Sequence, residues 1–238
     1  FDDYVQERWG ERMQAVAPQQ ERGEGVRIFH AEVEDIEGLR LWVLENPGNF
    51  PARLALGRAY FEAERLDEAE GQFRAALILF PEYGGPDSPF LYLARIHRRR
   101  GELELAARAL QQLGGLNETL YSVHIEAAEL WLELGETGEA AQALEKAVEI
   151  IPFEMENRRS LAELYSELGD HEGAVLERRA VLALDPVDRA DAHYRLALAL
   201  KDAGEANEAR SQVLRALEIA PTFEEALELL LVLRGGTP

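Results

Sequence analysis

From Phe50 onward the chain alternates between two kinds of apolar run, and in both the apolar residues recur at the three- and four-residue spacing of a helix. Leu54, Gly57, Tyr60 and Phe61 make the first run, and Ala69, Phe73, Ala76 and Leu77 the second. The same order then returns four more times. A break separates the two runs of each pair. Gly101, Gly135, Gly169 and Gly204 stand in it, where a residue able to take left-handed backbone ends a helix at least cost, and the first unit has Glu64 there instead. Pro81, Pro152, Pro186 and Pro221 follow the second run in four of the five units, and proline, lacking an amide hydrogen, cannot continue a helix. The pattern predicts an all-α chain of antiparallel helical hairpins.

The hairpins share a fixed ruler. Gly57, Ala94, Ala128, Ala162 and Ala197 are each followed twelve positions later by alanine, at Ala69, Ala106, Ala140, Ala174 and Ala209, and those alanines lie 37, 34, 34 and 35 residues apart. The longer first interval falls at Pro81, Glu82, Tyr83, Gly84, Gly85 and Pro86, a loop insertion. On these residues the chain resembles the tetratricopeptide repeat family, whose 34-residue unit carries small residues at its eighth and twentieth positions, an aromatic at the eleventh and proline near the end. The units run over about 50–83, 87–120, 121–154, 155–188 and 190–223. The first matches best, through Leu56, Gly57, Tyr60, Ala69, Phe73, Ala76 and Pro81. The second has His97 for the aromatic and no closing proline, so Gly114 to Thr119 is expected to be irregular. The third and fourth keep Trp131 and Tyr165, and the fifth has Leu200. The resemblance implies a right-handed superhelical solenoid over 34–234.

The ends do not repeat. Glu224 to Arg234 reads as a capping helix with Leu227, Leu230 and Leu231 inward, because a terminal hairpin otherwise leaves its apolar face in water. Residues 235–238 form a tail. Asp35 to Asn46, stopped by Pro47 and Gly48, reads as a helix capping the first hairpin. Residues 1–33 are expected to be a helix and linker. Phe1, Tyr4, Val5, Trp9, Met13 and Val16 make an amphipathic stripe that needs a surface, either the first hairpins or an upstream domain of which it is the closing helix. That stretch loosely resembles the ends of bacterial gluzincin-type zinc peptidase domains, although no HExxH motif occurs in the chain. Gln19 to Gly25 reads as a turn or linker, and the alternation of Val26 to His30 is brief for a strand.

Composition narrows the chemistry. The 238 residues include no cysteine, which excludes disulfides, thiolate metal sites and cysteine nucleophiles while leaving both cytoplasm and periplasm open. The formal charge of −20 disfavours nucleic acid and anionic lipid surfaces, and no apolar run is long enough to cross a bilayer. The excess of arginine over lysine, with abundant alanine, leucine, glycine and glutamate, is compatible with a GC-rich bacterial genome. His30, His97, His124, His171 and His193 have no second histidine at ligand spacing, so no metal or cofactor is expected. Glu126, Glu129, Glu133 and Glu136 recur along a solvated helix face, phosphate-loop and nucleophile-elbow motifs do not occur, and no catalytic residue is assigned.

The remaining expectation is a binding face. The family resemblance implies that first helices line an inner curve, with contacts from Leu54, Arg58 and Phe61; Leu91, Arg95, Arg98 and Arg99; Ile125, Glu129 and Leu132; Arg159 and Glu163; Tyr194 and Leu198. The family's chaperone-tail clamp is not present, since its lysine and asparagine places in the first unit hold Leu54 and Arg58. Net charge is −6 over residues 1–49, −1 over 50–120 and −13 over 121–238. An acidic or C-terminal peptide is therefore expected near Arg58 and the run Arg95, Arg98, Arg99 and Arg100, and a basic one near Glu129 to Glu167. Arginines paired with glutamates of the neighbouring hairpin are the competing expectation for that run. Three functions follow: a protein-interaction scaffold that takes a peptide in its groove; the C-terminal accessory region of an enzyme, such as a zinc metallopeptidase, whose catalytic part precedes Phe1; and homo-oligomerisation through the terminal helices.

Overall fold

A computed structural model describes residues 36–235, and the stripe at Phe1 to Val16, the linker after it, the alternation near His30 and the tail at 236–238 lie outside the described residues. Among the described residues there are twelve helices and no strand. They are α1 (Ile36–Glu45), α2 (Phe50–Glu62), α3 (Leu66–Leu79), α4 (Pro89–Arg99), α5 (Leu103–Leu116), α6 (Tyr121–Leu134), α7 (Thr137–Ile150), α8 (Met155–Leu168), α9 (His171–Ala183), α10 (Arg189–Asp202), α11 (Ala206–Ile219) and α12 (Glu224–Gly235). None is long and apolar enough to cross a membrane. The chain divides into two units, residues 1–123 and 124–238.

In the first unit α1 packs on α2, α2 pairs with α3, α3 meets α4, and α4 pairs with α5. In the second, α7 meets α8, α8 pairs with α9, α9 meets α10, α10 pairs with α11, and α11 carries α12. Within each unit the first helices of these hairpins fold back on their second helices, and the second helices meet the hairpin that follows in the same unit. The small residues sit where the sequence pattern requires: Gly57, Ala94, Ala128, Ala162 and Ala197 are all buried, as are the five alanines twelve positions later. At Gly57 a Cβ would come within 2.8 Å of the Phe73 ring, so the closest approach of α2 to α3 excludes any side chain.

The break between the two helices has one geometry in all five hairpins. Arg65, Glu102, Glu136, Asp170 and Glu205 donate their amides to the carbonyls of Tyr60, His97, Trp131, Tyr165 and Leu200 at 2.8–2.9 Å, the six-to-one bond that closes a helix through a left-handed residue. That residue is glycine in four hairpins, with φ from 74° to 81°, and Glu64 at φ 57° in the first. Helix starts are capped by Asn49, Ser88, Asp170 and Asp188, whose side chains accept from Ala52, Phe90, Gly173 and Asp191.

Two expectations are corrected. Of the three α12 leucines expected to face inward only Leu230 is buried, while Leu227 and Leu231 are exposed, because the helix packs through Ala226, Leu229, Leu230 and Leu233. Gly114 to Thr119 is not wholly irregular, because α5 stays helical to Leu116 and buries Leu110 and Leu113. That burial outweighs the roughly 1 kcal/mol a glycine costs inside a helix. The irregular stretch shrinks to the turn after Asn117, whose side-chain amide donates to the Gly84 carbonyl at 3.0 Å and so ties it to the insertion loop. In that loop the Tyr83 hydroxyl donates to Asp87 at 2.5 Å, and burial together with this bond pushes the phenol up to about 12.

A second recurring contact has no counterpart in the apolar pattern. The fourth residue of the repeat unit bonds across the hairpin to a residue nineteen positions later: Arg53 to Gln72 at 3.2 Å, Arg158 to Glu177 at 2.5 Å, and His193 to Gln212 at 2.7 Å. The two arginines also donate Nε to the carbonyls of Pro47 and Pro152 at 2.8 and 2.7 Å. Each such arginine clamps its hairpin to the turn before it.

Candidate peptide-binding surface

A shallow concavity lies in the first unit, at the carboxyl ends of α2 and α4. Phe61, Arg95, Arg98 and Arg99 surround an open depression of about 550 Å³. An aromatic stack stands beside it: Tyr92 meets Phe61 edge-on at 5.6 Å between ring centroids and lies parallel to the buried Phe73 at 4.7 Å. The Arg99 guanidinium sits 4.3 Å from the centre of the Phe61 ring, and that of Arg95 sits 5.6 Å from Tyr92.

The four arginines divide into two kinds. Arg99 Nη1 donates to both carboxylate oxygens of Glu64, at 2.7 and 2.8 Å, and Arg100 donates to Asp67 at 2.5 Å and Glu70 at 2.6 Å. These acids come from the preceding hairpin, 30 to 35 residues back. Burial pushes the Glu70 carboxyl up, but hydrogen bonds from Arg100 and Arg74 outweigh it and hold the group below the ordinary carboxylate range. Arg95 and Arg98 are exposed and have no ion-pair partner among the described residues. Arg58 on α2 is half-buried, with its Nε shielded from solvent and without a hydrogen-bond partner. Pairing within the fold therefore takes Arg99 and Arg100, while Arg95 and Arg98 keep their capacity for an outside anion.

The other sequence-predicted positions fall in different settings. Leu54 is only 6% exposed and packs in the hairpin core, whereas Leu91 is half-buried. In the second unit Ile125 is half-buried and Glu129 and Leu132 are exposed. Arg159 is bound to Glu156 at 2.8 Å. Glu163 accepts from Arg178 at 3.3 Å and lies 3.9 Å from Arg195, so it joins α8 to both following helices. Burial lowers the pKa of Arg178, opposed by this bond. Tyr194 packs on Phe223 with ring centroids 5.0 Å apart, and Leu198 borders the same core.

Tyr92 and Glu64 contact residues that line the depression, through Phe61 and Arg99, and are not among the positions the sequence predicts. Glu64 had a signal, as the one non-glycine in the break. Tyr92 had none, because its partners Phe61 and Phe73 lie in the preceding hairpin. His97 is buried with Nδ1 2.5 Å from a Glu102 carboxylate oxygen, a contact within its own hairpin. Among the described residues no group of three or more histidines and acids is placed to hold a metal ion.

Two tetratricopeptide repeat families match the sequence, one over residues 38–84, from α1 to the insertion loop, and the other over 190–223, from α10 to the turn before α12. No curated protein matches it. Similar solved structures include YrrB, a TPR protein with an unusual peptide-binding site, at 17% identity over 81% of this chain and 97% of that one with a TM-score of 0.49. They also include the P58(IPK) TPR domain, at 16% identity over 79% and 65% with a TM-score of 0.42. A third is TTC0263, a thermophilic TPR protein in Thermus thermophilus, at 22% identity over 78% and 97% with a TM-score of 0.37.

Proposed function

We propose that this chain, which belongs to the tetratricopeptide repeat family, is a protein-interaction scaffold whose first unit takes an acidic peptide segment of a protein partner. The observation that carries the reading is the partition of the arginine run: Arg95 and Arg98 face solvent unpaired beside the Phe61 and Tyr92 rings, while their neighbours are already neutralised. An unpaired guanidinium binds a carboxylate through two parallel hydrogen bonds, and an aromatic wall beside it supplies apolar contact for a side chain next to the acid. Arg58 adds a further positive charge on the same helix as Phe61. No family match supports the alternative of an accessory region beside a peptidase.

The test uses a fluorescein-labelled peptide of alternating glutamate and phenylalanine, and the same peptide with glutamine for glutamate. Fluorescence anisotropy is expected to show saturable binding of the acidic peptide alone, weakened at least tenfold in the Arg95→Ala/Arg98→Ala variant, about 1.4 kcal/mol or more. Equal binding of both peptides, or an unchanged affinity in the variant, would refute the reading.

A further inference from the structure

The last helix shows outward what every other first helix hides. Leu231 stands 34 residues after Ala197, at the place where the five hairpins have Gly57, Ala94, Ala128, Ala162 and Ala197, all buried. Leu227 stands 34 residues after His193, the buried cross-hairpin position. On α12 this face has no second helix among the described residues, and Leu231 is 67% and Leu227 43% exposed. The opposite face, Ala226, Leu229, Leu230 and Leu233, is buried in the core of the second unit, and the Leu233 carbonyl accepts from Arg210 at 2.6 Å. The helix is therefore anchored on one side and apolar on the other, where a solvated cap would be polar.

We infer that this face pairs with the same face of a second copy of the chain, as an antiparallel two-fold helix pair. The register follows from the sequence. Placing Leu227 of one copy opposite Leu231 of the other also places Glu224 opposite Arg234, at both ends of the contact. Glu224 and Arg234 are exposed and have no ion-pair partner among the described residues. A parallel pair would instead set Glu224 against Glu224 and Arg234 against Arg234. Antiparallel packing also opposes the two helix dipoles favourably. A leucine where the hairpins require glycine or alanine keeps the partner helix at the 8–10 Å of ordinary helix packing, which a leucine-to-leucine contact needs. Twelve residues span only about 18 Å, so the contact is small and the dimer should dissociate on dilution.

Sedimentation velocity over roughly 5–500 µM protein reads this directly, with dimer expected to grow across the range. Leu231→Glu should weaken association at least tenfold while circular dichroism stays unchanged, because the buried face of α12 is untouched. Arg234→Glu should weaken it as well, and Glu224→Arg combined with Arg234→Glu should restore it. A wild-type chain that stays monomeric to the top of the range, or a dimer indifferent to Leu231→Glu, overturns the pairing. Failure of the charge exchange to restore it overturns the antiparallel register. None of these residues lies in the first unit, so the outcome is separable from that of the peptide test.

Discussion

Glu64 is the residue at which the first hairpin departs from the other four, and two opposing terms meet there. Its φ of 57° puts a Cβ-bearing residue in backbone that costs roughly 1–2 kcal/mol, which glycine avoids at Gly101, Gly135, Gly169 and Gly204. Against this stands the contact of Arg99 Nη1 with both Glu64 carboxylate oxygens, an exposed pair worth about 0.2–1 kcal/mol. The local balance favours glycine, so Glu64→Gly should stabilise the protein by about 1 kcal/mol, read as a higher urea midpoint at unchanged slope. The same change removes the carboxylate that occupies Arg99 beside Phe61, and the acidic peptide should then bind more tightly. A lower midpoint would mean that Glu64 holds more structure than its one ion pair accounts for.

At the scale of the element, the hairpin is closed by its small residues and, in three hairpins, locked by the polar contact from the fourth residue of the repeat unit. Arg158 and Glu177 form that contact in the fourth hairpin with 16% and 9% of their side chains exposed, so removing one partner leaves a charge poorly solvated. Glu177→Ala is expected to cost about 3 kcal/mol by thermal or chemical unfolding. Glu177→Gln should cost only about 1 kcal/mol, because Gln72 and Gln212 hold the same place in two other hairpins and keep an acceptor there. Equal losses in the two variants would show that charge, not the hydrogen bond, makes the lock. The hairpins themselves were legible in the sequence, because burial against a neighbouring helix leaves a period in apolar and small residues, and the left-handed stop leaves a glycine. The locks were not, since a polar pair nineteen residues apart adds nothing to that period. The fate of the arginine run was open for a related reason: Arg99 and Arg100 are neutralised by Glu64, Asp67 and Glu70 of another hairpin, a register that only three-dimensional stacking sets. The glycines of α5 misled in the other direction, because local propensity reads Gly114 and Gly115 without the buried Leu113 beside them.

For the whole molecule the charge of −20 is a distribution, near neutral over residues 50–120 and −13 over 121–238. Acids in the second stretch outnumber the arginines and lysines that pair with them, as where Arg179 faces both Glu205 and Glu208, so like charges are left to repel across the folded surface. Added salt, with a screening length of about 10 Å at 0.1 M, weakens that repulsion and also the attraction between Arg95, Arg98 and an acidic peptide. The two effects have opposite signs for the protein. Raising sodium chloride from about 20 to 300 mM should stabilise the fold by about 1 kcal/mol, a rise in Tm of roughly 2–4 °C for a chain of this size, while peptide affinity falls about tenfold. Calorimetry and anisotropy on the same samples separate the cases. If Tm falls with salt, the surface ion pairs outweigh the repulsion and the acidic stretch is better neutralised than its sequence implies. If affinity is indifferent to salt while Tm rises, the peptide is held by the Phe61 and Tyr92 rings alone, and the charge asymmetry between the two stretches governs stability without governing recognition.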